Sequence, residues 1–262
     1  MDRLTYNKTY KSLQSFEDVF RLSESYSEPP GVMATLLNQK VVKLARNSHR
    51  NIHGREEELF FRWRKGLPIL ELARRSGFPS TLMASLIMKK YGFSKKTTNL
   101  LFRNPDQIQS ERLRREVKKA LNSDYFFSPR AHAMQVLKGD MGEEIIRKWL
   151  DKREIAYFTE AELRENGEGK TPDFVLKEPL LIEGFEISWI ESKALFGDES
   201  EHIHYMKKQF VEYSELFGEG MVVYWYGFLE GLTSETYLIK DHSFFAECRE
   251  EVDALLNYLV YW

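Results

Sequence analysis

Apolar residues recur along this chain in two rhythms. In the first half they return every three or four positions, as in Ile69, Leu72 and Ala73, then Leu82, Leu86 and Ile87. That spacing lines one face of a helix. In the second half they gather into short blocks, Phe174-Val175-Leu176, Leu180-Leu181-Ile182 and Met221 to Leu229. Such blocks bounded by Gly, Pro and charged residues predict buried strands.

The helical half repeats itself at a distance of 50 residues. Met33-Ala34-Thr35-Leu36-Leu37 maps onto Met83-Ala84-Ser85-Leu86-Ile87, Pro29 onto Pro79, and Val19, Phe20 and Leu22 onto Ile69, Leu70 and Leu72. Each copy predicts a short helix, a turn and a helix opened by proline, which suits a first helical turn. The second copy is the sharper helix-turn-helix. Small Ala73 allows close helix approach, and Gly77 falls where the first helix stops. Arg62, Arg64, Lys65, Arg74, Arg75, Lys89 and Lys90 surround it. That setting suits phosphate contacts beside a groove-reading helix, and equally a helical protein-interaction module. Two more helices are expected at Ser94–Arg103 and Gln107–Leu121, with a connector at Asn122–Arg130 where Pro129 interrupts the pattern.

Beyond the connector the spacing predicts a helix over Gly139–Lys152, a strand at Ile155–Phe158 and a helical turn at Glu160–Glu165. Strands follow at Asp173–Lys177, Leu180–Ile182 and Phe185–Ala194. A helix over Ile203–Phe217 comes next, then strands at Met221–Leu229 and Tyr237–Lys240, and a closing helix over Phe244–Val260. This order describes a mixed sheet with helices on its faces. The expected organisation is therefore an all-α tandem helix-turn-helix domain over 1–125 and an α/β domain over 126–262.

Charge sharpens the division. The net charge is −2, yet residues 1–130 carry 25 Lys+Arg against 13 Asp+Glu, and residues 131–262 carry 13 against 27. A basic half can neutralise phosphates, whereas an acidic half must bring a cation before it approaches them. The lone Cys248 excludes a disulfide framework and a cysteine-based zinc cluster, and points to a reducing compartment. No apolar run is long enough to cross a bilayer, and the first residues lack a signal-peptide core.

The chemistry concentrates between Lys170 and Ala194. Asp173 closes Thr171-Pro172-Asp173 at the mouth of one strand, and Glu191-Ser192-Lys193 ends another. Residues two apart on a strand share a face, so Glu191 and Lys193 point together and Ser192 points away. Two carboxylates and an ammonium in one small volume suit a hard divalent ion and a water, the equipment of phosphodiester hydrolysis. On the helix after Gly139, Glu143 falls at the edge of the buried face set by Ile145, Ile146, Trp149 and Leu150, and Glu144 falls toward solvent. Ile203, Met206, Phe210, Tyr213 and Phe217 form an apolar stripe with Gln209 on its edge. Gln209 could bond a phosphate or a water, with the Tyr213 hydroxyl beside it. His202 and His204 splay apart at a helix start and are expected to be solvated.

Gly139-xxx-Glu143, Thr171-Pro172-Asp173, Glu191-Ser192-Lys193 and Gln209-xxx-Tyr213, in that order, resemble the PD-(D/E)xK nuclease superfamily, particularly its RecB-like and Holliday-junction-resolvase-like branches. With Phe196-Gly197-Asp198 and Val223-Tyr224-Trp225-Tyr226-Gly227-Phe228, the chain is similar to the TPD family of animal codanin-interacting nucleases. The resemblance implies a restriction-endonuclease-like fold and a nuclease dependent on Mg²⁺ or Mn²⁺. It implies Glu143, Asp173 and Glu191 as metal ligands, Lys193 positioning the water, and Gln209 and Tyr213 as an accessory pair. It further implies codanin as partner, a nucleic-acid substrate with DNA before RNA, no membrane association, and a nuclear and cytoplasmic location. The alternative is a regulatory binding partner of codanin that keeps the nuclease fold with little turnover.

Overall fold

A computed structural model describes residues 1–165, 167 and 169–258, the side chain of residue 50 excepted. Nine helices open the described chain: α1 (Arg3–Ser12), α2 (Phe16–Tyr26), α3 (Pro30–Ile52), α4 (Glu56–Arg64), α5 (Ile69–Ser76), α6 (Ser80–Tyr91), α7 (Lys95–Arg103), α8 (Glu111–Asn122) and α9 (Pro129–Asp151). Strand β1 (Tyr157–Thr159) leads through α10 (Glu160–Glu165) into β2 (Phe174–Ile182) and β3 (Phe185–Lys193). Then come α11 (Glu199–Tyr205), a π turn (Met206–Phe210), α12 (Val211–Phe217), β4 (Gly220–Tyr224), β5 (Tyr237–Asp241), a 3-10 stretch (His242–Cys248) and α13 (Arg249–Asn257). Residues 259 and 260 of the expected closing helix lie outside the described residues. No helix among the described residues is long and apolar enough to cross a membrane.

Both copies of the repeat form a helix pair, α2–α3 and α5–α6. The turns match in detail. Ser27 and Gly77, 50 residues apart, both adopt the left-handed conformation, at φ 52° and 56°. In each, the next residue's N–H returns to a helix carbonyl, Glu28 to Ser23 and Phe78 to Ala73, at 3.1 and 3.0 Å. This is the Schellman closure, which glycine adopts without strain and serine does not.

Packing divides the chain into two units, which differ from the sequence boundary at 125/126. One gathers Met1–Leu37 with the described chain from Val136 onward, and the other is Asn38–Gln135. The N-terminal residues join the sheet-bearing unit through specific contacts. The Tyr6 hydroxyl donates to Asp198 at 3.0 Å, its ring stacks on Phe196, and the Met1 amine donates to the Phe228 carbonyl. Gly31 lies against Leu256 so closely that any Cβ would strike the backbone there.

The helical unit is built on Trp63, Ile69, Leu72, Met83, Ile87, Leu113 and Val117, all buried. Buried Glu116 fastens three helices. It accepts from Trp63 Nε1 at 3.0 Å, from the Ile69 N–H at 2.9 Å and from Arg112 at 2.8 Å.

In the other unit the five strands run in the order β1-β2-β3-β4-β5. The first three are antiparallel neighbours, and β3–β4 and β4–β5 are parallel. A mixed sheet flanked by helices is thus what forms, with several local differences from expectation. The two blocks Asp173–Lys177 and Leu180–Ile182 are one strand, broken by a bulge between Val175 and Leu180 that accommodates Pro179. Met221–Leu229 stops being strand at Tyr224, because the chain turns through Gly227 at φ 85°. Pro129 opens α9 rather than interrupting the pattern, and the Ser128 hydroxyl accepts from the Ala131 N–H at 3.2 Å.

The helix expected over Ile203–Phe217 carries a π turn in its middle, and this changes which residues face the core. Phe210 and Tyr213 are buried, but Ile203 is 47% exposed. One extra residue in the turn rotates everything upstream by one position. His202 is buried in consequence, with its two ring nitrogens at 2.9 Å from the Tyr224 hydroxyl and 3.1 Å from that of Tyr237. The solvated-start expectation therefore holds for exposed His204 and fails for His202.

Candidate active site

The site lies where β2 begins and β3 ends. Phe174 pairs with Ile190, so Asp173, one residue earlier, comes opposite Glu191. Two reciprocal bonds lock the strand ends together. The Asp173 N–H donates to Glu191 Oε2 at 3.2 Å, and the Ser192 N–H donates to Asp173 Oδ2 at 2.7 Å. Lys193 Nζ donates to Glu191 Oε1. Glu191 is 2% exposed, and the Lys193 side chain, at 12%, is largely but not fully covered.

These charges are held at an electrostatic cost. Burial, and then the charge of Asp173, push Glu191 up to about 8. Burial raises Asp173 as well, against the pull of Lys193. Burial works to lower Lys193, but the carboxylates of Glu191 and Asp173 outweigh it and raise its proton affinity. Lys193 is accordingly an ammonium that donates hydrogen bonds, not a base.

The face carrying Glu191 and Lys193 is covered by the π turn and α12. Trp189, on the same face, meets Tyr213 edge-on at 5.5 Å and gives its indole N–H to the Gly218 carbonyl at 2.9 Å. Gly220 supplies no side chain because the Trp189 indole occupies that space. Gln209 Nε2 donates to the Tyr213 hydroxyl at 3.1 Å, and its buried Oε1 has no partner. Burial and the charge of Glu191 raise the Tyr213 hydroxyl well above its ordinary value, so it stays protonated. Thr171 Oγ1 beside the Asp173 strand end is likewise buried and unpartnered.

Glu143 comes from the other face. Helix α9 packs on the sheet at Gly142, where a Cβ would meet Trp225 Cδ1 at 2.7 Å and Ser192 Oγ at 2.9 Å. Ser192 points to that face and accepts from Trp225 Nε1 at 2.8 Å. Glu143 is half-buried, whereas Glu144 is exposed and paired with Arg147. Burial and the charge of Asp173 push Glu143 up to about 7. It makes no described hydrogen bond to Asp173 or Glu191. Among the described residues no three Asp, Glu, His or Cys side chains form a ready metal cluster. The structure thus joins Asp173, Glu191 and Lys193 directly, and Gln209 to Tyr213. It leaves Glu143 within electrostatic reach of Asp173 and not in the hydrogen-bonded group.

Two residues of the site carry no motif in the sequence. Tyr205 presents its ring to Lys193 Nζ at 4.8 Å, a cation–π contact made possible by the π turn. Glu160 donates its N–H to the Asp173 carbonyl at 3.1 Å, and its charge raises Asp173 and Glu143 further. Its one sequence signal is its place at the opening of a helical turn after β1.

The sequence profile of a family described as "Protein of unknown function TPD sequence-motif" matches residues 109–243. That stretch holds all six candidate residues. The chain is 33% identical over 222 residues to CDAN1-interacting nuclease 1 of Mus musculus, covering 79% of each chain. It is 32% identical over 222 residues to that of Homo sapiens, again 79% of each. It is 31% identical over 241 residues to that of Gallus gallus, 86% of this chain and 82% of the relative. No solved structure matches the chain.

Proposed function

This chain belongs to the TPD family of CDAN1-interacting nucleases, and from that premise we propose that it is a metal-dependent nuclease of the PD-(D/E)xK type acting together with codanin. The observation that carries the reading is the buried group Asp173–Glu191–Lys193, held across two strand ends by reciprocal hydrogen bonds. A protein serving only as scaffold gains nothing from two carboxylates that burial raises in proton affinity.

The donor set fits a divalent ion. Asp173 and Glu191 offer hard oxygens, and ionising both, which a bound cation would favour, gives one negative charge more than Lys193 offsets. Both features suit Mg²⁺ or Mn²⁺. Asp173 and Glu191 would hold the ion, with Glu143 supporting its water shell. When bound, the ion supplies electrostatic stabilisation of charge developing on the phosphodiester.

The remaining residues divide the work. The Lys193 ammonium, fixed by Glu191 and the Tyr205 ring, orients the attacking water and offsets charge on the phosphate. The unpartnered Gln209 Oε1 accepts from that water, while Tyr213 holds the amide in place. Glu143, near neutrality in proton affinity, holds or releases a proton close to working pH. Trp189, Phe210 and Tyr213 exclude bulk water from the floor.

Purified full-length protein is tested with labelled single-stranded, duplex, flap and junction DNA in Mg²⁺, Mn²⁺ or EDTA. Cleavage is expected with either ion and is lost in EDTA and in Asp173→Asn. Cutting by a folded Asp173→Asn protein at the parent rate overturns the assignment. Codanin binding without metal-dependent cutting of any substrate leaves the regulatory-partner reading in its place.

A further inference from the structure

We propose that a groove lying wholly within the helical unit, between α6, α7 and the start of α9, binds a single nucleic-acid strand. This deepens the nuclease reading by giving its substrate a docking surface. It rests on that reading for the choice of nucleic acid over other polyanions.

The groove encloses about 720 Å³. Lys89, Lys95, Arg103 and His132 line it, and no Asp or Glu does. None of the four makes an ion pair among the described residues. The cations nearest the α5–α6 turn behave differently. Arg74 and Arg75 both pair with Glu71, Arg62 with Glu58, and Lys90 with Glu57. Four of the cations around this helix pair are therefore spent within the fold, whereas those of the groove are not. Asp124, the nearby buried acid, is turned inward and accepts the N–H groups of Thr81, Phe126 and Phe127.

The wall also offers hydrogen-bonding groups. Ser94 caps α7, so the positive end of that helix opens on the groove beside Lys95. Thr81, 3% exposed in the wall, has an Oγ1 without a partner. A buried hydroxyl left unsatisfied is uncommon and points to a group that completes it.

Aromatic rings in the lining agree with a nucleic-acid strand better than with an acidic peptide. Phe93 and Phe127, both partly exposed, form part of the lining, with Phe102 buried in the helical core beneath it. Phe93 stacks with Tyr91 at 5.7 Å and 8°, and Tyr91 is 46% exposed. Flat rings beside unpaired cations suit bases stacked along a phosphate backbone, and this pairing tolerates any base sequence. An acidic peptide would use the cations and leave the rings idle.

The test uses the full chain in EDTA, so that no cutting occurs, with a fluorescein-labelled single-stranded DNA oligonucleotide read by anisotropy over a NaCl series. The variant Lys89→Ala/Lys95→Ala/Arg103→Ala changes exposed side chains only, and its unfolding curve verifies the fold. Binding is expected to weaken at least about tenfold, and the slope of log affinity against log salt to shrink by about 2, since each single-strand phosphate contact contributes roughly 0.7. Phe127→Ala, in the lining and with its fold verified by the same unfolding curve, should weaken binding at an unchanged salt slope. Parent protein that fails to bind, a triple variant with parental affinity and slope, or polyglutamate competing as well as an oligonucleotide of equal charge would each overturn the proposal. Failure of the nuclease reading looks different: an oligonucleotide bound through the groove and never cut when Mg²⁺ is added.

Discussion

Replacing Asp173 by Asn should abolish cleavage and at the same time stabilise the apo protein at neutral to alkaline pH. Glu191 moves from 4.5 to about 8 through burial and the neighbouring Asp173 charge. At pH 7 that corresponds to a cost of about 3 kcal/mol, from roughly 1.4 kcal/mol per unit between 4.5 and 7. Burial is the larger cause and remains in the variant. Removing the Asp173 charge should return about 1–2 kcal/mol of this sum. On the other side the attraction between Asp173 and Lys193 is lost, but burial of the Asp173 charge, the larger influence on that group, is relieved with it, and an Asn carbonyl still accepts the Ser192 N–H. The net gain is of order 1 kcal/mol, or about 2–4 °C in Tm for a chain of this size.

The sign follows from the direction of the shift. A carboxyl raised on folding contributes most below its unfolded value and loses that contribution as pH climbs to the folded one. Parent stability should thus fall between pH 4.5 and about 8, and the Asn variant should fall less steeply. Urea unfolding in EDTA at pH 5, 6, 7 and 8 measures both curves. Added Mg²⁺ should stabilise the parent by mass action, by about 1.4 kcal/mol at ten times its Kd, and leave the variant unmoved. Two parallel pH curves, or a variant less stable than the parent at pH 8, would refute the electrostatic account of the pair.

Lys193→Met should lower turnover at least about a hundredfold while oligonucleotide affinity changes little, because the ammonium acts mainly on charge that develops in the transition state; single-turnover kinetics separate the two. Gly142→Ala should cost about 1–3 kcal/mol in urea unfolding, since its Cβ meets Trp225 and Ser192, neither of which can retreat. Glu116→Ala should cost about 3 kcal/mol, because it strands the buried Ile69 N–H and the Trp63 indole together and takes the carboxylate from Arg112; Glu116→Gln should recover part of that.

Much of the fold was legible because its signals are local. The 50-residue repeat foretold two helix pairs, and the positive-φ turn recurs even where Ser27 stands in place of glycine. Apolar blocks located all five strands. What misled was the effect of one residue on a long-range register. Pro179 sits in a bulge, so a single strand looks like two. Pro129 begins a helix, so a helix start looks like an interruption. Both errors have the same origin: proline forbids one backbone bond and leaves open which structure omits it.

The site was legible to the extent that strand alternation governs it. Glu191 and Lys193 share a face and Ser192 turns to the other, as period 2 requires. Helical periodicity served Glu143 and Glu144 equally well, since α9 is regular there. It failed upstream of Gln209, where the π turn inserts a residue. Ile203 is thereby turned outward, His202 goes in, and Tyr205 comes beside Lys193. Such a turn has no sequence signature, because its cost is recovered from contacts that exist only once the sheet is formed. Charge pairing is hidden for the same reason. Composition counts Arg62, Arg74, Arg75 and Lys90 as available to phosphate, yet each finds a glutamate, one of them 33 residues away. Which cations remain for a ligand is decided by the distribution of the acids around them, and only the folded chain displays it.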